Sequence, residues 1–166
     1  MNSTFVHMAK ETLVSEELAR KFASEKETPY TRWVRAEGLD IISSLFVPDL
    51  HTVELKPWAR RGGRGVFLNH DASRTSNDCY VCEIPPGQEL APQHQLYEEM
   101  IYVLDGRGST AVWNEAGKRT TFEWKAGAIF AIPLNTWHQH FNGSGLEPAR
   151  YVAVTNAPVI IMRLAT

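Results

Sequence analysis

The chain has 166 residues, enough for one domain with a substantial core. Hydrophobic residues make up 43% and charged residues 22%, which excludes a disordered composition. The formal net charge of −2 gives no electrostatic case for nucleic acid or an anionic membrane as partner, and no apolar run approaches a membrane span.

The N-terminus, Met1 to Lys10, has no basic region followed by an apolar one, so no secretory signal is expected. A reducing, cytoplasmic location is the default expectation. Ser15 is placed to cap a helix opening with Glu16 and Glu17, in which Leu18 and Phe22 share a face. Thr28-Pro29 signals a second helix, ending at Gly38, with Trp33 and Val34 as its buried contacts. Residues 1–38 thus read as an N-terminal helical extension.

After Gly38 the chain turns to short β-branched and aromatic runs separated by turn residues. They are 39–47, 52–55, 65–68, 79–84, 99–104, 109–113, 119–124, 128–132, 137–141, 151–155 and 159–162. Asp105-Gly106 and Glu115-Ala116-Gly117 are hairpin signals. Many short strands at this spacing predict a sandwich or barrel over residues 39–166.

Cys79 and Cys82 have the C-x-x-C spacing of zinc or redox sites. They lie in a strand-like run, however, where i and i+3 point to opposite faces, and no second pair exists. They read as two strand thiols. The basic stretch Arg60-Arg61-Gly62-Gly63-Arg64 reads as a solvated loop, with an anion contact or a subunit interface as the alternatives.

Two segments carry chemistry. In the run from Gly127 to Asn142, a strand meets a turn bounded by Pro133 and continues as a second strand. There the period of two puts His138, His140 and Asn142 on one face. Two histidines on one face raise the odds of ligation above those of a lone histidine. In the run from Pro86 to Gly106, Glu99 alternates with Ile101 and Val103. If that face is inward, Glu99 is a buried acid needing a metal, a cation or several donors.

These segments resemble the two motifs of the cupin superfamily. The second motif, G-x5-P-x-G-x2-H-x3-N, is matched by Gly127, Pro133, His138 and Asn142. Asn135 stands at its turn glycine, and asparagine tolerates positive φ. The first motif, G-x5-H-x-H-x3–4-E-x6-G, is matched by Glu99 and Gly106. Its histidine pair is incomplete: with four residues before the acid it becomes Pro92 and His94, with three Gln93 and Gln95.

The resemblance implies an all-β fold, a cupin-type double-stranded β-helix (a jelly-roll barrel) behind the helical extension. It also implies a metal core of His94, Glu99 and His138, with Gln95 as an alternative ligand. His140 is a replacement ligand or a catalytic acid/base. Such a set suits one divalent transition metal, iron first, then manganese, nickel or zinc. The stretch from Trp137 to Asn142 is also similar to part of the gentisate-type ring-cleaving dioxygenases.

Three functions follow as expectations. The first is a metal-dependent, oxygenase-like enzyme acting on a small carboxylated or phenolic substrate. The second is a metal-free or weakly metal-binding isomerase or lyase using a His138/Glu99 acid–base pair, and the third a non-catalytic small-ligand binder. Tyr80, Tyr102 and Trp113 are candidate pocket walls. A homodimer is expected, and the apolar run 159–162 reads as a strand or the start of a second barrel.

Overall fold

The computed structural model describes residues 27–70 and 76–165; the helix expected after Ser15 lies outside them. Helix α1, Pro29–Ala36, starts as its sequence signals. Thr28 Oγ1 accepts the Thr31 N–H at 3.1 Å, and Thr31 Oγ1 accepts the Thr28 N–H at 2.9 Å. Tyr30 and Val34, one turn apart, are buried, and Trp33 packs beside them. Gly38 takes φ 69° after the helix end.

Eleven described strands follow: β1 Ile41–Ser44, β2 Lys56–Trp58, β3 Gly63–His70, β4 Asp78–Ile84, β5 Gln93–His94 and β6 Glu99–Asp105, then β7 Arg107–Trp113, β8 Arg119–Lys125, β9 Ile129–Ile132, β10 Trp137–Asn142 and β11 Ala149–Thr155. The larger sheet runs β1-β3-β4-β11-β6-β9, with β2 also on β3. The smaller runs β5-β10-β7-β8. Only β1 and β3 pair in parallel. The result is a two-sheet jelly roll, open rather than closed into a continuous barrel, with a core that includes Phe67, Tyr80, Ile101, Trp124 and Tyr151.

A second apolar cluster includes Leu55, Val66, Leu68, Cys79 and Val81, joined by Val47, Leu50 and Val53. Residues 52–55 therefore form covering chain rather than the expected strand, and pairing begins at Lys56. Cys79 lies in this cluster and Cys82 in the main core, as their opposite faces require. Both thiols are free and buried.

Two turn assignments differ from expectation. Glu115-Ala116-Gly117 closes the β7–β8 hairpin, with Gly117 at φ 77°. Asp105-Gly106 does not close a hairpin but carries the chain from β6 in one sheet to β7 in the other. Residues 159–162 belong to helix α2, Ala157–Leu164, not to a strand. Pro158 sits in its first turn, where a missing N–H costs nothing; in a strand it would break the ladder.

Candidate functional site

Strand alternation places the polar residues inside. On β6, Glu99, Ile101 and Val103 are buried, while Met100 and Tyr102 are exposed. On β10, His138 and His140 are buried at 0% and 1% exposure and Trp137 faces out. Around β5, Gln93 and Gln95 are buried and His94 is exposed, its ring stacked on Trp137 at 5.1 Å. The structure therefore brings Gln95, Glu99, His138 and His140 into the interior and leaves His94 on the outer surface. The three-residue spacing before the acid is the one realised.

Glu99 is held from several sides. Its Oε1 accepts the Tyr80 hydroxyl, and its Oε2 accepts the Gln95 amide at 2.5 Å. His138 Nε2 lies 3.8 Å from Oε2, and Arg61 Nη1 lies 3.9 Å from Oε1. Arg61 is 1% exposed and donates to the Tyr80 oxygen at 2.7 Å. Its guanidinium sits 4.6 Å from the ring centres of both Trp58 and Tyr80.

The basic stretch is thus not simply a solvated loop. Arg60 reaches Glu37 at 2.7 Å and also donates to Gln93 Oε1; Arg64 donates to the Leu55 carbonyl at 2.8 Å. Arg61 is turned inward by a local device. The N–H groups of Arg61 and Gly62 donate to the Trp58 carbonyl at 3.1 and 2.8 Å, and Gly62 adopts φ 82°. That tight turn joins β2 to β3. Sequence reasoning missed Arg61 because nearby arginines look alike by type. The available signal was Gly62-Gly63 directly after it, which marks a special backbone.

Burial sets the protonation states. It pushes the Glu99 carboxyl up, with Arg61 pulling it back. It pushes His138 down to about 3, and Arg61 adds to this. His140 falls well below its ordinary value, first by burial, then through His138 and Arg61. For Arg61, burial is the largest influence and acts to lower the value, but Glu99 and the neighbouring Tyr151, Tyr97 and Cys82 together outweigh it, so the guanidinium stays charged. The interior therefore holds two neutral imidazoles, one cation and a carboxyl whose proton is held unusually firmly.

The imidazoles differ in freedom. Thr110 Oγ1 accepts the Trp124 indole N–H at 2.8 Å and meets His140 Nδ1 at 2.8 Å. The hydroxyl proton is then directed at Nδ1, which leaves the His140 proton on Nε2. That Nε2, both His138 ring nitrogens and Arg61 Nε are buried without a hydrogen-bond partner, and the Tyr151 hydroxyl meets only the Cys82 thiol. Asn142, the last polar residue of the second motif, has a structural role instead. Its amide donates to the Ile84, Pro85 and Glu147 carbonyls at 3.0, 3.1 and 2.9 Å, tying the chain turns together. Of the expected pocket walls, Tyr80 lines the site, Tyr102 is exposed, and Trp113 stacks on Trp137 at 6.3 Å on the outer side.

The residues present do not fit a tightly held divalent transition metal. The inward positions of the two motifs carry Gln93, Gln95, Glu99 and His138. Gln93 Oε1 is engaged by Arg60, and Gln95 turns its N–H to Glu99. Glu99 holds its proton firmly and faces a guanidinium whose charge would repel a metal ion. The Thr110 hydroxyl, already accepting from Trp124, favours the His140 tautomer with its proton on Nε2, which offers a metal no lone pair there. Among the described residues no three His, Cys, Asp or Glu side chains converge in a metal-holding group.

Comparison with known proteins gives a consistent fold. Residues 80–155 match the sequence model of the cupin domain. The 5-aminosalicylate 1,2-dioxygenase of Comamonas sp. is 25% identical over 93 residues, covering 56% of this chain but only 23% of the length of that enzyme. Among solved structures, the cupin domain of Schizosaccharomyces pombe Cnp3 superposes with a TM-score of 0.54 at 21% identity, covering 65% of this chain and 71% of its own. The Lactobacillus farciminis oxalate decarboxylase formate complex gives 0.55 at 22%, covering 68% and 35%. No helix among the described residues is long and apolar enough to cross a membrane.

Proposed function

We propose that the protein, whose residues 80–155 match the cupin domain, is a metal-independent enzyme of the isomerase or lyase kind, moving a proton on a small oxygen-bearing compound, with Glu99 and His138 as the acid–base pair. The observation that carries this reading is the pair itself: Glu99 Oε2 and His138 Nε2 are 3.8 Å apart, fully buried, with both imidazole nitrogens open. A carboxyl pushed up and an imidazole pushed down to about 3 reverse the ordinary order of proton affinity, so Glu99 holds the proton as the acid and neutral His138 is the base for a substrate lying against the pair.

Each neighbour has a defined part. Tyr80 and Gln95 fix the orientation of the carboxyl. His140, held by Thr110, presents an N–H to a substrate oxygen. The surrounding core residues keep bulk water away from the exchanging proton.

The test is proton exchange at carbon. The protein, treated with a chelator, is incubated in D2O with a panel of small carboxylated and phenolic compounds, and deuterium incorporation is followed by NMR. Incorporation into at least one compound is expected, falling about 100-fold in Glu99→Gln and in His138→Gln. No incorporation into any compound would overturn the reading. The similarity to 5-aminosalicylate 1,2-dioxygenase supports a second reading, an iron-dependent oxygenase acting on a phenolic ring. Oxygen uptake that requires added Fe(II) would favour it over the first.

A further inference from the structure

The geometry points to Arg61 as a built-in cation of the sandwich interior that receives the carboxylate of a small organic acid. This deepens the reading above, from which it takes the premise that the interior is a ligand site.

The side chain is a constructed feature rather than a stray charge. Its backbone is anchored on both sides: Arg61 and Gly62 N–H donate to the Trp58 carbonyl, and the Arg61 carbonyl accepts the Ala91 N–H at 2.7 Å. The guanidinium is flanked by Trp58 and Tyr80, and the Trp58 indole N–H is itself fixed to Glu37 at 2.6 Å. A planar cation flanked by two aromatic rings keeps its N–H edge free for a planar anion.

The balance of unmet hydrogen bonds then specifies the ligand. Arg61 Nε and His140 Nε2 are buried without acceptors, the Tyr151 hydroxyl meets only the weakly accepting Cys82 sulfur, and neutral His138 adds one open donor and one open acceptor. They belong to one cluster: the His140 and Tyr151 rings are 5.3 Å apart, and Tyr151 and Tyr80 are 6.2 Å apart. The resident acid, Glu99, is already taken by Tyr80 and Gln95. The interior is therefore short of acceptors. A carboxylate brings two oxygens, acceptors only, together with the charge that matches the guanidinium. An amide of the same shape brings one acceptor oxygen and two more donors, so it would add to the imbalance.

The experiment is calorimetric titration of the whole chain, in chelator-containing buffer, with acetate and benzoate against acetamide and benzamide. At least one carboxylate is expected to bind about tenfold more tightly than its amide. The double variant Arg61→Gln/Glu99→Gln removes the guanidinium together with the acid that faces it, so neither is left without its partner, and it should lose that preference. Arg61→Lys should retain it in weakened form. Should the double variant fail to fold by circular dichroism, Tyr151→Phe removes one donor without touching charge and should weaken the carboxylate selectively.

Amides binding as well as carboxylates, neither class binding at millimolar concentration, or a preference that survives loss of Arg61 or, where the double variant does not fold, loss of the Tyr151 hydroxyl, would each overturn the inference. The two readings fail separately. A proton-transfer reading undone by a metal requirement leaves carboxylate binding to the chelator-treated protein intact. Loss of the carboxylate preference leaves the deuterium experiment untouched.

Discussion

His138 and His140 are neighbours on one face of β10, and both are kept neutral because charging either one inside the sandwich would place a cation beside Arg61 without water. This has a thermodynamic consequence. Between about pH 6.5 and 3 the unfolded chain protonates His138 while the folded chain does not, so stability rises with pH there and is lost as pH falls. Glu99 acts oppositely: its raised carboxyl holds a proton that the unfolded chain has released, so its contribution declines as pH rises above the ordinary glutamate range. Urea unfolding at pH 7, 6 and 5 isolates the histidine. The difference in stability between wild type and His138→Gln should shrink by about 0.7 kcal/mol from pH 7 to 6 and by about 1.2 kcal/mol from pH 6 to 5, as the unfolded imidazole titrates. A difference independent of pH would show that His138 is not held neutral.

The elements that position these groups depend on a few backbone choices. At Gly62 and Gly106 the chain takes φ 82° and φ 80°, conformations disfavoured for residues with a Cβ. A methyl at Gly62 would meet nothing nearer than 3.8 Å, whereas one at Gly106 would lie 2.7 Å from the Pro148 carbonyl oxygen. Gly62→Ala should therefore cost about 1–2 kcal/mol, from backbone strain alone. Gly106→Ala should cost more, because the inter-sheet corner must also shift; denaturant midpoints check the order. Gly62→Ala carries a second expectation: by disturbing the β2–β3 turn it should weaken carboxylate binding, although residue 62 does not touch the ligand. The strands, by contrast, are robust to reading from sequence. β4, β6, β7, β8, β10 and β11 lie within two residues of their expected bounds, because alternation and flanking turn residues are local properties. The misassigned run 159–162 is apolar on all sides, and such a run reads equally as strand or helix until Pro158 is weighed.

At the scale of the whole molecule, an interior that already carries the Arg61 cation is expected to fold independently of metal. The unfolding midpoint should stay within about 1 °C after chelator treatment and after addition of Fe(II), Mn(II), Ni(II) or Zn(II), since a site that binds no ion in the folded state gains no linkage stabilisation from it. A metal-dependent rise of several degrees would contradict the donor set described above. The sequence alone determined a sandwich or barrel of short strands and the face shared by His138 and His140, because strand periodicity and turn chemistry are encoded over a few neighbouring residues; the cupin-type jelly roll and the role of Glu99 came from the resemblance of its two motifs. It left open which spacing the first motif uses, and only the pairing of Gln93 and His94 with β10 decided it, turning His94 out against Trp137 and Gln95 inward. Arg61 was likewise beyond local reading. It meets Tyr80 and Glu99 across 19 and 38 residues of chain, and only the sheet order β3-β4-β11-β6 makes such a contact. The fold was legible in short-range pattern; the charge at its centre was settled by long-range packing.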